Sequence, residues 1–169
     1  MGGDRPDQTN IEVAAARLGD LLRRRGWLLA TAESCTGGLI AAACTALAGS
    51  SDWFERGFVT YSNAAKCESL GVAAALIDAH GAVSEEVACA MAAGALAHSA
   101  AQLAVAVTGI AGPGGAVPVK PVCTVWQALA ASGEAPWAEG LQLGGDRAAV
   151  RAQTVAIALQ RLIERAERG

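Results

Sequence analysis

The run QLAVAVTG at 102–109 is almost continuously apolar. A strand with one wet face alternates apolar and polar residues, whereas a strand buried on both faces does not, and such strands belong to sheets covered by helices on both sides. WLLATA at 27–32 has the same character and reads as a second buried strand. Between and around these runs the apolar spacing changes to that of helices. Ile11, Ala14, Ala15, Leu18, Leu21 and Leu22 follow Thr9 and Glu12 in capping-box spacing, which predicts a helix over about 10–25, ended by Gly26. Gly37-Gly38 introduces an alanine-rich helix expected to reach about Ala48, and GFVTY (57–61) reads as a strand. Short helices are expected around AAKCESLG (64–71) and AAALIDAHG (73–81). Ser84 is placed to cap a helix running to about His98, with Glu85 and Glu86 at its positive end. VCTVWQALA (122–130) and WAEGLQL (137–143) read as strands paired across residues 131–136. Asp146 then caps a final helix with Val150, Val155, Ala158, Leu159 and Leu162 on one face. Strands interleaved with helices predict an α/β fold, a three-layer α/β/α sandwich with a mixed β-sheet. A single domain over 1–169 is expected, with 1–8 as a flexible start.

Composition removes several classes of function. Hydrophobic residues make up 53% of the chain and charged ones 17%, which excludes a disordered polymer. No stretch approaches the ~18 consecutive apolar residues of a membrane span, and MGGDRPDQTN has neither the basic start nor the apolar middle of a signal peptide. A soluble, cytoplasmic protein with no membrane partner is expected. The five cysteines are odd in number, scattered and never spaced C-x-x-C, which fits a reducing compartment. With two histidines in the chain, no metal site is expected. The formal net charge of -3 gives no electrostatic footprint for nucleic acid.

The candidate chemistry begins at TAESCTGG (31–38), where a buried strand turns into a helix. Open α/β sheets place ligands at such carboxyl ends. Ser34 is a candidate nucleophile, and the amides near Thr36, Gly37 and Gly38 could hold an oxyanion or a phosphate. The same residues are equally those of an ordinary helix cap with glycines for close packing. Cys35 is a rival nucleophile, but it needs a neighbouring cation or histidine to become thiolate, and burial as a small apolar side chain is its expected fate. Tyr61 and Lys66 lie in YSNAAK (61–66); a desolvated Lys66 could act as general base toward Ser34, with Tyr61 relaying a proton. TGIAGPGG (108–115) holds four glycines, of which Gly112, Gly114 and Gly115 could let backbone N–H groups approach an anion, or could simply form a wide connection. It fits neither the dinucleotide fingerprint nor the P-loop, because a strand and not a helix follows. Arg147 opens the last helix, a poor place for a cation unless an anion is bound there.

Taken together, AESCTGG (32–38), YSNAAK (61–66), LGV (70–72), AVSEEVA (82–88), TGIAGPGG (108–115), KPV (120–122), TVW (124–126) and GDRAAVR (145–151) resemble one known family. It is the CinA C-terminal domain family, the PncC-type nicotinamide-nucleotide amidases. The motifs occur in that family's order and span nearly the whole chain. The resemblance implies hydrolysis of the carboxamide of nicotinamide mononucleotide (NMN) to nicotinic acid mononucleotide and ammonia, in pyridine-nucleotide salvage. It makes Ser34 the nucleophile, Lys66 the base and later the acid, Tyr61 a partner in proton transfer, and Arg147 a contact for phosphate or developing charge. Glu33 would organise the turn, and the amides after Ser34 would receive the oxyanion. No metal or organic cofactor is implied, and a homodimer is expected. The larger members carry a further N-terminal domain, so a free-standing amidase is expected here. Three positions depart from the family pattern: Val117 and Val119 stand where polar residues are usual, and Cys123 where glycine is usual. Two other functions fit the same residues: a nucleotide-binding or regulatory module tied to competence or DNA damage, and an amidase for another small amide. The joint presence of Ser34, Tyr61, Lys66 and Arg147 favours catalysis.

Overall fold

In the computed structural model, which describes residues 6–168, the 27–32 run becomes β1 (Leu29–Glu33). A second strand, β2 (Phe54–Val59), lies parallel to it on one side, and the 102–109 run, β3 (Leu103–Gly109), lies parallel to it on the other. β4 (Thr124–Ala131) and β5 (Trp137–Gln142) extend the sheet antiparallel, in the order β2-β1-β3-β4-β5. One helical layer holds α1 (Gln8–Arg25), α2 (Leu39–Thr45) and α6 (Arg147–Arg168). The other holds α3 (Asn63–Leu70), α4 (Ala74–His80) and α5 (Glu85–Ala97). The fold is a three-layer α/β/α sandwich on a mixed sheet.

The buried strands sort their side chains by size. Leu29, Leu103, Val105 and Leu129 face the first layer and meet Leu18, Leu22, Leu159 and Leu162. Ala30, Ala32, Ala104, Ala106, Ala128 and Ala130 face the second, against Ala88, Ala92 and Ala95 of α5. Small residues on both sides let α5 approach the sheet closely, so the alanines of this helix fill the interior. Gly94 lies in a second tight seam, between α5 and α3. A Cβ there would lie 2.1 Å from the carbonyl oxygen of Leu70, at the end of α3.

Several boundaries differ from the sequence expectation. Asp7, not Thr9, caps α1, its carboxylate accepting from the Thr9 amide at 3.3 Å. A carboxylate complements the positive helix end, which a hydroxyl does not. Glu12 pairs with Gln8 and does not reach back to the cap. Of the expected flexible start, residues 1–5 lie outside the described residues, while Asp7 and Gln8 belong to the helix and its cap. α2 stops at Thr45, and a 3-10 turn at Ser50–Asp52 intervenes before β2. β2 begins at Phe54 and takes in Glu55 and Arg56, charged residues that an edge strand tolerates on its open side. Asp146 caps α6 as expected, accepting from the Ala149 amide at 2.8 Å.

Candidate active site

The strand order reverses between β1 and β3: the chain leaves β1 toward one edge of the sheet and leaves β3 toward the other. The crevice at such a reversal is the place where open α/β sheets bind ligands. Ser34 follows directly on β1, and its amide donates to Val107 of β3 at 3.0 Å. The residue is 92% buried, at 8% exposure.

Lys66 comes from the first turns of α3, which Ser62 caps through its hydroxyl, accepting from the Ala65 amide at 3.0 Å. That cap aims the lysine inward. Its side chain is 1% exposed, an unusual state for an amine, and its Nζ lies 3.1 Å from Ser34 Oγ and 2.8 Å from the Thr60 carbonyl. Both partners are neutral. Burial therefore pushes the Lys66 amine below the usual lysine range.

Tyr61 and Arg147 form the mouth. Tyr61 is 62% exposed, and its hydroxyl accepts from Arg147 Nη2 at 3.0 Å. Arg147 Nη1 donates to the Gly112 carbonyl at 2.9 Å, tying the glycine-rich loop to the start of α6. A cleft of about 210 Å³ is lined by Ser34, Cys35, Tyr61, Lys66, Thr108 and Arg147, among others. Four candidates from three separate segments of sequence thus meet in one place. A larger hollow of about 580 Å³ between β5 and the end of α6 holds no nucleophile beside a base, and its Arg161 and Arg165 are each paired with a glutamate.

The remaining candidates fall elsewhere. Gly112, Gly114 and Gly115 do not line the cleft; Gly114 and Gly115 are exposed, and Gly112 meets the site only through its carbonyl on Arg147. Thr36 is fully buried behind Ser34, and its hydroxyl donates to Glu33 Oε1 at 2.6 Å. The Gly37 amide donates to the Ser34 carbonyl at 3.0 Å. At the start of α2, the Ile40 and Ala41 amides donate to the two carboxylate oxygens of Glu33 at 2.8 and 3.0 Å. The helix end is thus occupied by the protein's own carboxylate, and those amides are not free to receive an oxyanion. Gly37 and Gly38 take positive φ, 59° and 102°, and so make the sharp turn between strand and helix. Burial pushes the Cys35 thiol up to about 11, so it is protonated at neutral pH and a poor nucleophile.

Sequence reasoning passed over Arg151, one turn beyond Arg147 on α6. Its Nη2 donates to the Thr36 carbonyl at 3.2 Å. The i, i+4 spacing of the two arginines behind a capping Asp146 was the available signal. Among the described residues, no cluster of three or more His, Cys, Asp or Glu could hold a metal ion, and no helix is long and apolar enough to cross a membrane.

The sequence model of the CinA C-terminal domain matches residues 11–166. The chain belongs to the CinA C-terminal domain family. Among its relatives in that family, the nicotinamide-nucleotide amidohydrolase PncC of Pseudomonas putida is 54% identical over 154 residues, covering 91% of this chain and 96% of that one. The protein of the same name from Enterobacter agglomerans is 49% identical over 160 residues, covering 95% and 94%. Among solved structures, the competence/damage inducible protein CihA from Agrobacterium tumefaciens superposes with a TM-score of 0.90 at 46% identity, covering 94% and 96%. The CinA-family fold is therefore shared over essentially the full length of each.

Proposed function

We propose that the chain hydrolyses the carboxamide of nicotinamide mononucleotide, giving nicotinic acid mononucleotide and ammonia. Sharing about half its residues over nearly its whole length with proteins named nicotinamide-nucleotide amidohydrolase, it is an amidohydrolase. The observation that carries the finer reading is the 3.1 Å approach of a buried lysine amine to a serine hydroxyl at the sheet's switch point.

In this reading the neutral Lys66 amine takes the Ser34 proton as Oγ attacks the amide carbonyl. The resulting ammonium returns that proton to the departing nitrogen, and ammonia leaves as the C–N bond breaks. Water then attacks the Ser34 ester, Lys66 takes a proton from it, and the carboxylate is released with Ser34 restored. The lowered amine basicity suits both halves of the cycle, since one group must accept and then donate. Tyr61 orients the polar mouth, and Arg147, on the exposed rim and hydrogen-bonded to it, meets the nucleotide's phosphate.

The test is ammonia release from NMN, nicotinamide riboside and free nicotinamide under equal conditions. A hydrogen bond to a charged group is worth about 1.5–3 kcal/mol, so kcat/KM for NMN should exceed that for the riboside at least tenfold. Equal turnover of the riboside would remove Arg147 from the phosphate. Preference for an unrelated amide would remove NMN as the substrate. The reading retains a cytoplasmic homodimer, which light scattering on the purified protein checks for the oligomer.

A further inference from the structure

We infer that Glu33, Thr36 and Arg151 are positioning residues for the nucleophile, a clamp that fixes the turn carrying Ser34 without touching the substrate. The inference rests on the amidase reading for its kinetic effect, but its geometry stands apart from the identity of the substrate. Thr36 is the tie point. Its hydroxyl donates to Glu33 at 2.6 Å, and its carbonyl accepts from Arg151 at 3.2 Å and from the Leu39 amide at 3.1 Å. Glu33 in turn holds the Ile40 and Ala41 amides.

These contacts grip the segment from both ends. Gly38, which precedes α2, makes no side-chain cap, so the carboxylate five residues upstream does the capping across the turn. Glu33 ends β1 and is itself fully buried, so it joins the sheet to the helix. Arg151 reaches from α6 and joins the turn to the same helix that presents Arg147 at the mouth. Ser34 sits two residues before Thr36, held on its other side by its amide on Val107. A carboxylate accepting three hydrogen bonds in a dry site is rigid, because breaking any one leaves a buried acceptor or donor unpaired. Reacting groups displaced by about 1 Å lose on the order of 10²-fold in rate.

The test compares wild type with Thr36→Val, Thr36→Ser and Arg151→Gln. Valine keeps the branched shape and removes the hydroxyl; serine returns it. For Thr36→Val the expected result is kcat for NMN lower by about 10- to 100-fold with KM little changed, largely rescued in Thr36→Ser, and reproduced in part by Arg151→Gln. Crystal structures of wild type and Thr36→Val supply the substrate-independent arm. The Lys66 Nζ to Ser34 Oγ distance should lengthen beyond hydrogen-bond range in the variant. Retention of the dyad distance in folded Thr36→Val overturns the clamp, as does a rise in KM with kcat unchanged, which would make Thr36 a substrate contact. Wild type that leaves NMN untouched counts against the substrate assignment alone, because the distance is still read.

Discussion

Lys66 Nζ lies 3.1 Å from Ser34 Oγ with the lysine side chain 1% exposed and no charged partner on it among the described residues. Burial lowers its basicity, and the sign of the pH dependence follows. Activity should rise with pH as Lys66 loses its proton, with the ascending limb of kcat/KM below the usual lysine range. The same group affects stability. Between its folded and unfolded values the unfolded chain holds the extra proton, so stability rises with pH across that window and levels off above the ordinary lysine value. Lys66→Met, read by thermal unfolding from pH 6 to 11, should flatten this slope while abolishing turnover; an unchanged slope would mean that another group carries it.

The Cys35 thiol lines the cleft beside Ser34, yet burial raises it to about 11. Native protein exposed to iodoacetamide near pH 8 should leave Cys35 unmodified by peptide mass mapping, and Cys35→Ala should retain turnover within several-fold. Rapid alkylation of Cys35 that tracks loss of activity would restore it as the nucleophile.

Cys123 has φ of 70°, the one non-glycine residue among those described with a left-handed backbone. A positive φ of this kind favours glycine, which has no Cβ to clash. A side chain there costs about 1–2 kcal/mol, so Cys123→Gly should raise Tm by several degrees with little change in activity. A lower Tm would show that the Cys123 side chain contributes packing that outweighs the strain.

Gly94 lies in the seam between α5 and the end of α3, where a methyl group would fall 2.1 Å from the Leu70 carbonyl. Alanine is the better helix former, but overpacking costs about 1–3 kcal/mol. Gly94→Ala should therefore lower the denaturant midpoint, and a higher midpoint would show that α5 can shift without cost.

Much of this was legible in the sequence, for physical reasons particular to each element. β1 and β3 announce themselves because strands buried on both faces lack the apolar/polar alternation of a half-wet strand, and Ser84 and Asp146 because capping has few chemical solutions. Ser34, Lys66, Tyr61 and Arg147 were each weak alone and became a set through the ordered family motifs. What was missed depended on distances along the fold. No local pattern says that Glu33, at the end of a strand, captures the amides of Ile40 and Ala41, and so the helix start read as an open anion site. Asp7 was overlooked for Thr9 because two capping residues stood close together and the capping-box spacing favoured the wrong one.

In the proposed reaction Ser34 is the nucleophile toward NMN. The most direct measurement is formation of nicotinic acid mononucleotide and ammonia from NMN by wild type and Ser34→Ala, prepared in parallel and matched by circular dichroism and thermal unfolding. The expected result is stoichiometric products with the wild type and a loss of at least about 10³-fold in the folded variant. Turnover that survives in Ser34→Ala, or a folded wild type that forms neither product, would contradict it.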